Sequence, residues 1–191
     1  IAHHAAGADA PFWPRFHGPD GDNISTERGL LKEWPDGGPE LTWTATGIGE
    51  GFSSVALAQG MIYTAGNVDE KTVVTALDLQ GKILWQADCG KAWTSDPGGT
   101  RSTPTWDGNQ LYFETPFGVV YCLDSKTGKE IWNVPLLEKF SSKNIQWGLS
   151  ESVLVDGDGL ICLPGGPEAS VVKLNKKTGD TTWAAESADV D

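Results

Sequence analysis

The chain of 191 residues is poor in basic side chains and in cysteine. It has 14 Lys and Arg against 26 Asp and Glu, a formal net charge of −12, and only 3 Cys. The acidic excess argues against binding to nucleic-acid phosphates or to an anionic membrane surface, because both attract Lys and Arg. No stretch approaches the roughly 20 apolar residues that a membrane-spanning helix needs. The sequence therefore predicts no nucleic-acid partner and no transmembrane segment.

Short catalytic and metal-binding motifs are also missing. The cysteines have no Cys-x-x-Cys spacing, so neither zinc nor thioredoxin-like chemistry is indicated. Cys122 and Cys162 lie in apolar contexts and are predicted to be small buried residues. There is no Gly-x-Ser-x-Gly, His-Glu-x-x-His or P-loop pattern. The sequence therefore assigns no catalytic residue and no metal ligand.

Turn residues and Trp are abundant, and both recur in one repeated pattern. With 24 Gly, 9 Trp and 39% hydrophobic residues, the chain can build a packed core. An apolar run, a polar turn and a Trp occur at residues 73–85, 119–132 and 171–183. The apolar run favours a strand, an Asp or Asn closes the turn, and a Gly gives the left-handed conformation that a short hairpin loop requires. Each copy thus predicts a β-hairpin that ends on its Trp.

A second pair of strands is predicted before each hairpin, at a constant distance from it. The complete unit is strand, turn, strand, loop, strand, turn, strand, and the closing residues Trp85, Trp132 and Trp183 are 47 and 51 residues apart. A four-stranded unit with a period of about 40–50 residues is the signature of a β-propeller blade. The predicted fold is therefore all-β, with each Trp filling the wedge between neighbouring blades. The predicted blades are at about residues 52–85, 101–132 and 148–183.

The sequence of each hairpin, an apolar strand followed by a turn such as Leu-Asp-x-x-Thr-Gly-Lys and a closing Trp, resembles the pyrroloquinoline-quinone (PQQ) repeat. That repeat occurs in quinoprotein alcohol-dehydrogenase-like propellers and in the related outer-membrane assembly lipoproteins. The opening Trp13-Pro14-Arg15-Phe16-His17-Gly18-Pro19, with Leu30-Leu31-Lys32-Glu33-Trp34-Pro35, is similar to exported PQQ-like propeller proteins of planctomycete-type bacteria. The resemblance covers about residues 11–183. It implies a fold more specifically than an activity, since the family holds enzymes and non-enzymes alike.

Three blades do not close a ring, because propellers typically take 4–8 blades. Trp43 lies 42 residues before Trp85, so residues 41–45 are predicted to be the closing strand of a further blade. An open ring leaves a blade face uncovered and strand edges unpaired. The chain is therefore expected to be the N-terminal part of a longer propeller, residues 41–191 forming the part seen here, or to close by self-association.

Residues 1–40 are predicted to form a leader that precedes the propeller. The stretch from residue 13 is rich in Gly and Pro, which indicates a loop lying across one face of the propeller. Ala8-Asp9-Ala10 has the small-x-small form of a signal-peptidase site. Together with the family resemblance, this predicts a periplasmic or secreted protein with protein or glycan partners at the cell envelope.

Candidate binding residues come from the loops that enter the innermost strand of each blade, because such loops ring one mouth of a propeller channel. The repeat alignment places Arg101 and Glu151 on this ring, on adjacent blades. They are read either as a clamp for an anion or quinone or as an ion pair that organises the mouth. Trp93 lies outside the repeat in a Gly/Pro-rich loop, and it is read either as a ligand contact or as a packed lid.

Two functions follow from the resemblance. The first is a non-catalytic exported propeller that acts as a binding or scaffold module. The second is a PQQ-dependent alcohol or sugar dehydrogenase, with PQQ and Ca²⁺ as its cofactors. The alcohol dehydrogenases of the family carry two adjacent Cys against the cofactor, whereas Cys89, Cys122 and Cys162 are far apart. The first function is therefore preferred.

Overall fold

The computed structural model describes residues 11–186, in which three four-stranded antiparallel sheets follow one another along the chain. The first contains β1 (Ala56–Ala58), β2 (Met61–Val68), β3 (Lys71–Asp78) and β4 (Ile83–Lys91). The second contains β5 (Thr105–Asp107), β6 (Gln110–Glu114), β7 (Val119–Asp124) and β8 (Glu130–Pro135). The third contains β9 (Leu154–Asp156), β10 (Gly159–Cys162), β11 (Val171–Asn175) and β12 (Thr181–Ala185). In every sheet the strands are adjacent in chain order, as in a propeller blade.

The three sheets are arranged as blades around a common inner edge. The first strands β1, β5 and β9 contact one another in succession, so they are the inner strands, and β4, β8 and β12 are the outer ones. Two apolar cores fill the spaces between the blades, one between the first and second sheets and one between the second and third. This arrangement confirms the predicted all-β, partial propeller.

The same aromatic contact is made at each junction between blades. The indoles of Trp43, Trp85 and Trp132 each cover the turn glycine of the hairpin that follows, and this glycine has positive φ in all three cases. An added Cβ at the glycine would lie within 3.0 Å of the indole in the pairs Trp43–Gly81, Trp85–Gly128 and Trp132–Gly179. Glycine is thus required twice at these positions, for the turn conformation and for the close approach.

Polar contacts between the blades repeat as well. The Tyr63 hydroxyl donates to the carbonyl of Ser125, and the Tyr112 hydroxyl donates to the carbonyl of Lys176, at 3.2 and 3.0 Å. Near the inner strands, the Ser54 amide donates to Thr103 Oγ1 and the Thr103 amide donates to Ser152 Oγ, both at 3.0 Å. Each blade therefore satisfies polar backbone groups of its neighbour, which fixes the rotation between them.

The strand limits differ from the predicted blade limits in one systematic way. Each sheet starts a few residues later than predicted and continues beyond its Trp, most clearly in β4, which extends to Lys91. The residues after Trp85 alternate between buried and exposed side chains, as those of an edge strand do. The connector after β8 contains one short helix, α1 (Leu136–Lys139).

Residues 41–45 do not form the predicted closing strand, because none of them belongs to a strand within residues 11–186. A strand requires a ladder partner, and the other strands of that further blade are not among the described residues. Trp43 nevertheless covers Gly81 as the other repeat Trp residues cover their glycines, and 40% of it stays exposed. The contact of Trp43 with Gly81 thus follows the repeat, and the closing strand at residues 41–45 stays a prediction.

The leader was predicted to be a loop across one face of the propeller, whereas in the structure it runs beside the inner strands. Trp13 and Leu57 of β1 exchange two backbone hydrogen bonds of 2.8 Å, and the Trp106 amide of β5 donates to the carbonyl of Pro14 at 2.8 Å. The leader therefore joins the first two blades from inside. The Ala8-Asp9-Ala10 pattern lies outside the described residues. Across residues 11–186, no helix has both the length and the apolar character needed to cross a membrane.

Candidate functional site

A cavity of about 530 Å³ lies where the leader meets the inner strands of the second and third blades. This volume is within the range of about 300–1,000 Å³ typical of small-ligand sites. Its lining includes side chains from the leader, from the connector before β5 and from the segment that enters β9: Arg15, Phe16, His17, Arg101, Glu151 and Leu154. The two ring residues predicted from the repeat, Arg101 and Glu151, therefore do line one cavity.

The predicted ion pair between Arg101 and Glu151 is not formed, because each side chain is held by backbone groups of its own surroundings. Arg101 donates from Nη1 to the carbonyl of Gly99 at 2.9 Å and from Nη2 to the carbonyl of Pro97 at 2.6 Å. Its guanidinium carbon lies 5.6 Å from the centre of the Phe52 ring, a cation–π geometry. The ion pairs of residues 11–186 all use lysine, so Arg101 has no acidic partner there.

Glu151 is the carboxyl group that lines the cavity, and its burial changes its acidity. Its Oε2 accepts a hydrogen bond of 3.1 Å from the Leu163 amide. Burial raises the pKa of the Glu151 carboxyl to about 7, although the bond from Leu163 opposes this. The cavity therefore contains a carboxyl group that changes charge near neutral pH.

Glu114, at the end of β6, is a second carboxyl group close to the cavity. The residue is 1% exposed, and neither carboxylate oxygen has a hydrogen-bond partner among the described residues. Burial raises the pKa of Glu114 well above its ordinary range, and the nearby charge of Glu151 raises it further. Burial thus favours the protonated form of Glu114 in the native protein.

Trp93 proves to be a packed residue and does not line the cavity. It is 7% exposed, and its ring centre lies 5.2 Å from that of Phe117. Its carbonyl accepts hydrogen bonds from the Asn67 side chain and the Gly99 amide. Of the two readings of Trp93, the packed lid is the one that this geometry favours.

Sequence reasoning did not assign the leader residues Arg15, Phe16 and His17 to the site. They fall outside the repeat, so no alignment of the blades indicates which strands they approach. Glu114 was also missed, although a signal existed, since the equivalent repeat positions hold the apolar residues Ala65 and Leu163. A charged residue at an apolar repeat position indicates a special environment.

These features define the class of protein: a PQQ-repeat β-propeller with a cavity at its inner strands. Residues 70–190 match the family model described as outer membrane protein assembly factor BamB. The chain therefore belongs to this family. It is 31% identical over 141 residues to the outer membrane protein assembly factor BamB of Yersinia pestis, covering 70% of this chain and 34% of that protein. The chain thus spans about a third of the length of this curated relative.

Solved structures with the same fold include enzymes and a designed protein. A europium-containing methanol dehydrogenase has a TM-score of 0.58 and 22% identity, covering 78% of this chain and 27% of its own. The quinohemoprotein alcohol dehydrogenase of Comamonas testosteroni has a TM-score of 0.55 and 19% identity, and the match covers 74% of this chain and 22% of the dehydrogenase. The computationally designed Ika4 protein has a TM-score of 0.53 and 11% identity, and the match covers 77% of this chain and 79% of Ika4. At these identities the similarity shows the fold alone.

The described residues do not fit the PQQ and Ca²⁺ site that the family resemblance implied. Cys89, Cys122 and Cys162 are buried in three different blades, so they cannot supply the adjacent pair. Within residues 11–186, no three His, Cys, Asp or Glu side chains are grouped as metal ligands would be.

Proposed function

We propose that this chain is part of a non-catalytic, BamB-like binding module that holds a protein partner at the cell envelope. The observation that carries this proposal is the cavity at the inner strands. Its charged groups are arginines held by backbone carbonyls and a carboxyl group held by a backbone amide. Such an arrangement suits recognition, because none of these groups is paired as a nucleophile with a base.

Membership in a family described by outer-membrane assembly supports a location in the periplasm or outside the cell. The acidic surface, with a net charge of −12, suits a protein that works beside anionic lipids without binding them. The scaffold role and this location are consequences of the same proposal.

Site-specific crosslinking in the full-length protein tests the proposal. A photo-reactive amino acid replaces Phe16 in the cavity, and the matched control replaces Lys177 in the exposed turn between β11 and β12. We expect position 16 to crosslink to one discrete envelope protein and position 177 not to do so. In parallel, purified protein is supplied with PQQ and Ca²⁺ and assayed for dye-linked alcohol oxidation, and saturable turnover would overturn the proposal.

A further inference from the structure

The cavity is unusual in this acidic protein because it gathers positive charge. Arg15 and Arg101 both line it, from the leader and from the connector before β5. Neither guanidinium takes part in an ion pair within the described part of the chain, where every ion pair uses lysine. Two such arginines in one cavity of a chain with net charge −12 indicate that an anion is recognised there.

The two arginines are held in place before any ligand arrives. Arg15 donates from Nε to the carbonyl of Gly18 at 2.9 Å and from Nη2 to the carbonyl of Pro19. Arg101 is held by the carbonyls of Pro97 and Gly99. A guanidinium has five N–H donors, so each arginine keeps donors for a ligand while its backbone contacts fix its orientation. Fixed donors lower the entropy cost of binding.

The rest of the lining limits the kind of anion. Phe16 and Leu154 are about half exposed, at 48% and 49%, and with Val153 they form an apolar wall. Glu151 adds a carboxyl group to the lining, which disfavours a highly charged anion such as phosphate. An anion of single charge carried on an apolar group fits both features.

The geometry points to a carboxylate-binding site, in which Arg15 and Arg101 receive a carboxylate whose apolar neighbour packs on Phe16 and Leu154, and in which Glu151 weakens binding when it is charged. This inference rests on the proposed function and specifies the chemistry recognised at its site. The carboxylate can come from the C-terminus of a partner polypeptide or from a free carboxylic acid, and the experiment distinguishes these sources.

Glu151 gives the site a dependence on pH. The titratable groups around it are Arg15, Arg101 and His17 in the lining, with Glu114 and Cys162 packed behind it. Because the pKa of Glu151 is raised to about 7, its charge appears as the pH rises through neutrality. Repulsion between this charge and a bound carboxylate then lowers affinity.

Calorimetric titration of the full-length protein tests the inference. The probes are an acetylated alanine peptide ending in phenylalanine with a free carboxylate, the same peptide as its amide, 3-phenylpropionate, and inorganic phosphate. We expect the free-carboxylate peptide to bind about tenfold or more tightly than its amide, since charge-assisted hydrogen bonds are lost with the charge. Equal affinity for acid and amide, or preferred binding of phosphate, would contradict a carboxylate site.

Variants connect binding to the named residues. Arg101→Met should weaken the peptide about tenfold, whereas the exposed control Lys177→Met should not change its affinity. Arg101→Met also removes the contact that holds the loop at Pro97, so a second variant is needed. Glu151→Gln serves this purpose because it keeps the contact to Leu163. It should remove the loss of affinity that we expect of the native protein between about pH 6 and pH 8. An unchanged pH profile in Glu151→Gln would overturn the role of Glu151.

The two sources give different results. If the free-carboxylate peptide binds much more tightly than 3-phenylpropionate, the ligand is the C-terminus of a partner. If the two bind with equal affinity, the ligand is a free carboxylic acid. If crosslinking from position 16 finds an envelope protein while no carboxylate binds, the proposed function stands and the carboxylate site is wrong. Carboxylate binding without any crosslinked protein would contradict the protein partner and keep the site.

Discussion

Glu114 shows how one residue departs from its own repeat. The equivalent residues of the first and third blades are Ala65 and Leu163, yet Glu114 is almost fully buried without a hydrogen-bond partner among residues 11–186. A buried polar group without a partner costs about 1–3 kcal/mol, and more when it is charged. Glu114 is therefore a local destabilising feature that the surrounding blade contacts outweigh.

Replacing Glu114 by Leu should stabilise the protein, and more strongly at high pH. The native pKa of Glu114 is raised, so the native state holds this proton more tightly than the unfolded state does. The free energy of unfolding consequently falls as pH rises above the ordinary carboxyl pKa towards the native one. We expect Glu114→Leu to gain about 1–3 kcal/mol at pH 8 and less at pH 5, measured by urea unfolding.

The control is Glu138→Gln on the exposed side of α1, which should change stability by less than about 0.5 kcal/mol at either pH. If Glu114→Leu lowered stability at pH 8, Glu114 would have a stabilising partner, and its assignment as an orphaned carboxyl group would fail.

The sequence predicts the location of those site residues that lie within the repeat. Arg101 and Glu151 were placed on one mouth because the repeat alignment gives them neighbouring ring positions on adjacent blades, and both line the cavity. Arg15 has no counterpart in the repeat, and its position depends on two backbone pairings of Trp13 and Pro14 that no periodicity encodes. The absent ion pair has a similar cause, since carbonyls of the 97–99 loop compete successfully for the guanidinium of Arg101.

The hairpins are the elements on which the blades are assembled. In each one the turn glycine lies under the Trp of the preceding repeat, so the turn serves both its own sheet and the junction. The strands were predictable because apolar runs and turn residues are local signals. The strand predicted at residues 41–45 stays a prediction, because no ladder partner for it is among the described residues.

Gly128→Ala should be far more harmful than the same change at a glycine without an aromatic cover. Gly128 has φ +71° and lies directly against Trp85, whereas Gly108, in the same blade, has φ +65° and no atom within 4 Å of an added Cβ. Both variants suffer the backbone penalty, but only Gly128→Ala displaces an indole. We expect Gly108→Ala to cost about 1 kcal/mol and Gly128→Ala about 2–4 kcal/mol in urea unfolding.

Similar losses in the two glycine variants would show that the backbone conformation alone determines the cost. The contact of Trp85 with the turn would then contribute little to the junction between the first two blades.

The hydrogen bonds from the Ser54 and Thr103 amides to hydroxyl groups of the next blade should contribute less to stability. Thr103→Val keeps the shape of the side chain but removes the acceptor for the Ser54 amide. The loss should be about 1 kcal/mol, since one partly buried donor remains without its protein partner. Thr182→Val on the outer strand β12 is the control, with a change below about 0.5 kcal/mol. Indistinguishable unfolding curves for the two variants would mean that water replaces Thr103 without cost.

The whole molecule is strongly acidic, and its charge is not balanced by ion pairs. The described ion pairs involve only Lys71, Lys173 and Lys176, against a net charge of −12. Repulsion among like charges destabilises a compact state, and salt screens this repulsion, with a Debye length of about 8 Å at physiological ionic strength. The folded protein should therefore be more stable in moderate salt than in its near absence.

We expect the midpoint of thermal unfolding to rise by a few degrees between about 10 mM and 150 mM sodium chloride. A variant with Asp36→Asn and Glu40→Gln in the exposed leader should show a smaller rise. A midpoint that falls with added salt would indicate that attractive surface pairs outweigh the net repulsion.

The contact between each turn glycine and the preceding Trp has a consequence for how repeat proteins gain or lose blades during evolution. Both complete junctions are made by the same two positions, although the spacing between successive Trp residues is 47 in one case and 51 in the other. A gene segment that encodes one unit can consequently be duplicated or deleted by unequal recombination without a new interface having to arise. An added blade can thus reuse the existing junction, as long as each copy keeps one indole and one glycine and the ring still closes.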